Sequence, residues 1–202
     1  INDSLLVKRQ DDLDGVPMFT VNGTPVDCVK MSLLNILPRR PDLVLAGINH
    51  GSNASVNVLY SGTMGAVREA CQDGLPAIGY SLTDHAPDAD FSFCREYVER
   101  ITKMVLEKGL PRDICLNVNV PAGCKPKGMR VTRACRCRWS DEYRRYETPW
   151  GQPFYWLAGE FLNSEPDCED TDQWCLDHGY VSVVPTTVEC TAPRADWPDW
   201  LR

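Results

Sequence analysis

Apolar residues in this chain gather in short runs separated by amphipathic stretches, and their spacing predicts the elements. The chain opens on a polar, irregular stretch through Val16, and residues 17–21 form the first strand-like run before Asn22-Gly23 turns it. Thr24 followed by Pro25 is a helix start, a capping hydroxyl before a proline in the first turn. Val26, Val29, Leu33 and Ile36 then recur at steps of three and four, which predicts an amphipathic helix ending before Pro38. Residues 42–48 are almost wholly apolar, as in a strand covered on both faces of a parallel sheet. A loop over 49–60 leads to a second helix opening at Ser61, whose face of Ala66, Ala70 and Cys71 suits close packing. Residues 76–82 predict another buried strand. Phe91, Cys94, Val98, Ile101 and Val105 mark a third helix closed by Gly109, and residues 114–120 a further strand. Strands and helices alternating at these lengths imply an α/β fold with right-handed parallel crossovers. After Pro121 the pattern changes: 128–132, 152–157 and 180–184 read as strands without strong helices between them. Residues 122–165 are therefore expected to form a β-rich extension that leaves the core and reaches a neighbour.

Composition narrows the picture. With 202 residues, 43% hydrophobic and 24% charged, the chain is globular and large enough to hold a core without disulfides or a structural metal. A net charge of −7 argues against a nucleic-acid polymer as partner. Basic residues cluster at Arg130, Arg133, Arg136, Arg138, Arg144 and Arg145, acidic ones at Glu165, Asp167, Glu169, Asp170 and Asp172, and both are expected to be solvated faces. No apolar run approaches the roughly 20 residues of a membrane helix. No secretory signal is visible, and Ile1 in first place reads as the start of a fragment. Ten cysteines are too few for a disulfide scaffold, and Cys28, Cys71, Cys94 and Cys115 lie in apolar segments, so a reducing cytoplasm is expected. Cys135 and Cys137 form a C-x-C pair that invites a zinc or redox reading but lacks a second pair at zinc spacing.

Candidate chemistry lies beyond the strand over 42–48, where open α/β sheets bind ligands. There Gly47-Ile48-Asn49-His50-Gly51-Ser52-Asn53 combines side-chain carbonyls with glycines that let backbone approach a ligand. Ser61-Gly62-Thr63 follows at a helix start, where unpaired N–H groups and two hydroxyls make a seat for an oxyanion or phosphate. Asp84 and His85 follow the strand ending at Leu82 and reach the same rim, as candidates for substrate contact or proton transfer. His178, before Gly179, is expected to partner a helix end. Arg136, Arg138, Trp139 and Tyr143 on the extension offer either subunit contact or stacking on a base, and residues 165–172 are expected to be a surface turn.

The blocks GTPVDC, PDLVLAGINHGSN, YSGTMGA, GLPAIGYSL, LNVNVP and HGYVSVVPTT occur in this order between about residue 17 and about residue 192. Together they resemble the SurE family of survival proteins, the metal-dependent 5′-nucleotidases. The resemblance implies a three-layer α/β/α, Rossmann-like, mostly parallel sheet with a protruding β-hairpin, in a single domain over 1–202. It also implies a homodimer or homotetramer and hydrolysis of nucleoside 5′-monophosphates to nucleoside and phosphate, with some members acting on 3′-nucleotides or short polyphosphate. By the same resemblance Asn49 matches the family's asparagine ligand to Mg²⁺ or Mn²⁺. Gly51, Asn53, Ser61, Gly62 and Thr63 match positions around the phosphate, and His50 lies inside the metal loop. The family's opening strand–helix–strand segment, with its Asp-Asp metal ligands, has no counterpart here: Asn2-Asp3-Ser4 echoes it only superficially. The expectation is therefore a nucleotidase fold that binds metal weakly, with a catalytically silent oligomerising or nucleotide-binding module as the alternative.

Overall fold

A computed structural model describes residues 4–193, 196, 198 and 200; Ile1, Asn2 and Asp3, and with them most of the Asn2-Asp3-Ser4 echo, lie outside the described residues. The central sheet has five strands in the order β3-β4-β5-β11-β6. These are β3 (Val44–His50), β4 (Ala77–Leu82), β5 (Ile114–Val120), β11 (Val181–Thr187) and β6 (Met129–Val131). All neighbours run parallel except β11 against β5. The mostly parallel α/β expectation is thereby met.

Side-chain alternation along β4 and β5 divides the core into two layers. Ile78, Tyr80 and Leu82, with Leu116, Val118 and Val120, face α3 (Cys94–Lys108), which contributes Tyr97, Ile101 and Val105. Tyr80 closes this layer with its hydroxyl 3.0 Å from that of Thr102. On the other face Ala77 and Cys115 meet α2 (Gly62–Gln72) through Met64, Val67 and Ala70. The approach is close from the strand side as well: a Cβ on Gly79 would lie 2.6 Å from Met64 Sδ. Helix α1 (Pro25–Met31) lies on the same side as α2 and starts at the expected cap, Thr24 and Asp27 bonding each other's backbone N–H groups.

Several boundaries differ from the sequence expectation. The polar stretch before Val16 contains β1 (Val7–Arg9), paired antiparallel with β2 (Phe19–Val21); its side chains are all exposed and so show no alternation. The first helix loosens after Met31 into a wider turn over Ser32–Ile36. Strand β3 runs on through Asn49 and His50, which pair with Ser81 and Leu82, so the loop begins at Gly51. β3 is also an edge strand of the described sheet, with Leu45 47% exposed, and is not covered on both faces.

The extension is narrower than 122–165, because Met129–Val131 belongs to the central sheet. What leaves the core is a ladder of β7 (Cys137–Ser140) and β10 (Glu160–Asn163), continued by the hairpin β8 (Tyr143–Glu147) and β9 (Pro153–Leu157). A short helix, α4 (Asp172–Asp177), returns the chain to β11. Only its end, at His178 before Gly179, is legible in the sequence, since six residues give too short a window for helical periodicity. Nor are the two charged stretches merely solvated: Arg133 donates to Glu165 at 2.9 Å and to both carboxylate oxygens of Asp170. Arg133 and the Arg136 amide hold the Glu165 carboxyl down at about 2. Residues 165–172 are not wholly a surface turn, because Asp172 is fully buried. His178 does end α4, its ring nitrogen 2.7 Å from the Trp174 carbonyl and its ring stacked on Trp174. No helix among the described residues is long and apolar enough to cross a membrane.

Candidate active site

The carboxyl end of β3 delivers Asn49 to a cleft of about 320 Å³ lined by Asn49, Asn57, Ser61, Gly62, His85 and Trp139 among others. The Asn49 Nδ2 donates to the carbonyls of His50 and Gly51, both at 3.0 Å, and more weakly to Asn53 Oδ1 at 3.3 Å. These bonds fix the amide plane and leave Oδ1 for the cleft. Two glycines let the backbone take this path. Gly47 has φ +114° and a Cβ there would strike the Tyr80 carbonyl; Gly51 has φ +94° and a Cβ there would overlap the His85 ring. His85 thus packs directly over the turn that follows Asn49.

Helix α2 begins beside this turn. The Ser61 Oγ accepts from the Met64 N–H at 3.0 Å, and the Ser61 carbonyl from the Gly65 N–H at 2.9 Å. The N–H groups of Gly62 and Thr63, with the Ser61 hydroxyl proton, remain at the open end of the helix. Donors of this kind at the positive end of an 11-residue helix suit an oxyanion.

The other predicted residues occupy different places. Asn53 is buried and its side chain is spent inside the fold, donating to Ser81 Oγ and accepting from Asn49. It therefore shapes the wall without offering the cleft a free amide. His50 is exposed and meets the ring of Phe91 edge-on at 4.7 Å. Asp84 accepts from the Ala86 N–H at 2.8 Å and serves its own turn. Of His50, Asp84 and His85, the structure brings only His85 to the cleft.

Some residues that build the site went unassigned in the sequence. Asn117 and Asn119, alternate positions of β5 on one face, are buried: Asn119 Oδ1 accepts from the Asn53 N–H at 2.8 Å, and Asn117 Nδ2 donates to the Asn53 carbonyl at 2.8 Å. Two amides at alternate positions of an apolar strand were the available signal. Asp172 accepts from the Ser55 N–H at 2.7 Å and the Cys135 N–H at 2.8 Å, tying the loop to the base of the extension. Trp139 donates from Nε1 to Asn57 Oδ1 at 2.8 Å, so this residue of the extension lines the cleft. Cys135 is buried, and burial pushes its thiol up to about 12, which speaks against a reactive C-x-C pair.

A hard divalent cation is normally held by one or two carboxylates together with water and substrate oxygens. Among the described residues no three His, Cys, Asp or Glu side chains converge, and Asn49 brings one neutral oxygen to the cleft. This donor set does not by itself fit Mg²⁺ or Mn²⁺.

Comparison with known proteins agrees with the geometry. The family described as Survival protein SurE matches residues 1–141. A protein named 5′-nucleotidase SurE from Phocaeicola vulgatus is 52% identical over 186 residues, 92% of this chain and 71% of that protein. One of the same name from Bacteroides fragilis is 49% identical over 178 residues, 88% of this chain and 70% of that protein. The crystal structure of SurE protein from Aquifex aeolicus superposes with a TM-score of 0.78 at 35% identity, over 95% of this chain and 76% of that one. With the ordered sequence blocks, the sheet topology and the asparagine turn facing a helix start all in agreement, the chain belongs to the SurE family.

Proposed function

We propose that this chain is a 5′-nucleotidase, hydrolysing nucleoside 5′-monophosphates to nucleoside and phosphate, with 3′-nucleotides and short polyphosphate as further substrates. The observation that carries the reading is the convergence of Asn49, Ser61 and Gly62 on one cleft, with the N-terminus of α2 opening into it. The names of the relatives support the same activity. In this reading the N–H groups of Gly62 and Thr63 and the Ser61 hydroxyl donate to the phosphoryl oxygens and offset the charge that grows there during transfer. Asn49 orients the phosphate from the opposite wall. His85, packed on Gly51, stands where a proton can pass to the departing nucleoside oxygen.

Mg²⁺ or Mn²⁺ is proposed as cofactor on the family resemblance alone, and no step is written through it, since the described donors do not hold it. The exposed Tyr143, Tyr155, Trp156 and Leu157 on the β8–β9 hairpin support self-association through this arm as a homodimer or homotetramer. Ten free thiols support a reducing, cytoplasmic location.

The same donor set favours a second reading, a nucleotide-binding module without turnover. Phosphate release from AMP and GMP, with Mn²⁺ and after chelation, separates the two. Turnover lost on chelation and cut at least about tenfold in Asn49→Ala is expected; tight nucleotide binding with no phosphate released under any condition would overturn the enzyme reading.

A further inference from the structure

A second cleft, of about 370 Å³, adjoins the phosphate seat and shares Ser52, Asn57, His85 and Trp139 with it. We infer that this second cleft is the nucleoside subsite and that it selects guanine, an inference that rests on the nucleotidase reading for the direction in which the substrate lies. Its volume is within the range of small-molecule sites. Its walls divide by chemistry. Trp139 and Phe161, rings edge to face at 5.3 Å, give an aromatic surface on the extension, and the Nε1–H bond to Asn57 holds the indole in place. Every base has a π-face, so this wall gives affinity without choice.

The opposite end supplies choice. Gln173 and Asp177, one turn apart on α4, both line the cleft, and Gln173 Nε2 donates to Asp177 Oδ1 at 2.8 Å. That bond uses one of the two amide N–H groups of Gln173, so the pair, with one N–H left, keeps mainly acceptors: the second carboxylate oxygen of Asp177 and the Gln173 carbonyl oxygen. An edge of acceptors wants adjacent donors. Guanine supplies two, the ring N1–H and the exocyclic N2–H. Adenine and cytosine each set one exocyclic donor beside a ring acceptor, which the carboxylate repels. Uracil sets its single N–H between two carbonyls. Charge-assisted bonds from N1–H and N2–H to Asp177 therefore favour guanine. His85 lies at the junction of the two clefts, where the ribose joins phosphate to base.

The test is calorimetric titration of the full chain with guanosine and with uridine, neither of which carries a phosphate. Guanosine is expected to bind at least about tenfold more tightly than uridine. Asp177→Asn, at an exposed position, should bring the ratio towards one by weakening guanosine. Trp139→Ala should weaken both nucleosides by about tenfold, and Trp139→Phe, which keeps an aromatic face, should recover most of the loss. Equal affinity for the two nucleosides in the unaltered chain, no binding of guanosine, or a guanosine affinity indifferent to Asp177→Asn would each overturn the assignment. Phosphate release from GMP is scored separately. Selective guanosine binding without turnover defeats the nucleotidase reading and spares the subsite; turnover without selection does the reverse.

Discussion

Removing the Asp172 carboxylate is expected to loosen the site from beneath. Asp172 is fully buried in the first turn of α4, where an acidic group complements the helix dipole. It receives the Ser55 N–H at 2.7 Å, the Ser55 hydroxyl at 3.2 Å, the Cys135 N–H at 2.8 Å and the Gln173 N–H at 2.8 Å. Ser55 has φ +54°, a left-handed conformation unfavourable for a side-chain-bearing residue, and the two bonds it donates to Asp172 hold it there. In Asp172→Ala two buried main-chain donors, those of Ser55 and Cys135, lose their acceptor. At about 1–3 kcal/mol for each unsatisfied group, the loss is about 2–6 kcal/mol. Asp172→Asn keeps one oxygen for Cys135 and Gln173 but either turns an amide N–H₂ on the Ser55 N–H or gives up that bond, for about 1–3 kcal/mol. Urea unfolding measures both. With an m-value of about 2 kcal/mol/M, the alanine midpoint should fall by about 1–3 M and the asparagine midpoint by about half as much, at unchanged m. Native-state hydrogen exchange should quicken at Ser55 and Cys135 before it does in β4. An alanine midpoint within about 0.3 M of the unaltered chain would refute the claim that this carboxylate ties the loop to the extension.

Acid stability should depend on Glu165. Its carboxyl is held at about 2 by Arg133 and the Arg136 amide, so its contribution is complete above the ordinary carboxylate range and is lost as pH falls towards 2. Urea midpoints between pH 6 and pH 2.5 should fall more steeply in the unaltered chain than in Glu165→Gln; parallel curves would contradict this. Gly51→Ala places a methyl against the His85 ring at a backbone angle that costs a side-chain-bearing residue about 1–2 kcal/mol. Phosphate release should drop well beyond what that loss of stability explains, and a variant with full activity would count against His85 at the cleft. Among the thiols, the exposed Cys124 and Cys190 should react quickly with a disulfide reagent in the folded chain, while Cys94, Cys115 and Cys175, pushed up to about 11, 12 and 11 by burial, stay silent until denaturant is added; early labelling of Cys115 would contradict the packing of β5 on α2.

Most of the sheet was legible because β4 and β5 are buried on both faces, which prints a largely apolar run broken only by a few buried polar residues. Helix α2 was legible for a related reason, since a helix that packs closely on a sheet must carry small residues on that face. What escaped has physical causes. Strand β1 is exposed on both faces and carries no period. β3 ends two residues later than its apolar run because Asn49 and His50 are polar and still pair with β4. The helix start at Ser61 is readable as a cap before a helix, whereas the bonds of the Asn53 amide to Ser81 and Asn49 leave no trace in the sequence. Composition also hid Asp172: inside an acidic run it looks solvated, and only the capping Thr171 before it, which bonds the Trp174 N–H, fixes it at the buried first turn of a helix.

The loop between β3 and α2 ties the extension to the proposed active site. Three of its alternate residues are each fastened to a different part of the fold: Asn53 to Asn117 and Asn119 of the central sheet, Ser55 to Asp172 of α4, and Asn57 to Trp139 of β7. A segment of this kind, largely without a ladder of its own, takes its shape from such bonds. Asn49 precedes its near end and Ser61 closes its far end, so the width of the proposed phosphate seat depends on all three attachments. The bond to Trp139 comes from an element that otherwise leaves the core, and the same indole forms a wall of the neighbouring cleft. If the proposed subsites hold, sequence changes in the arm act on the substrate by two routes: directly, through the aromatic wall, and through Asn57, by moving the loop that leads to the helix start.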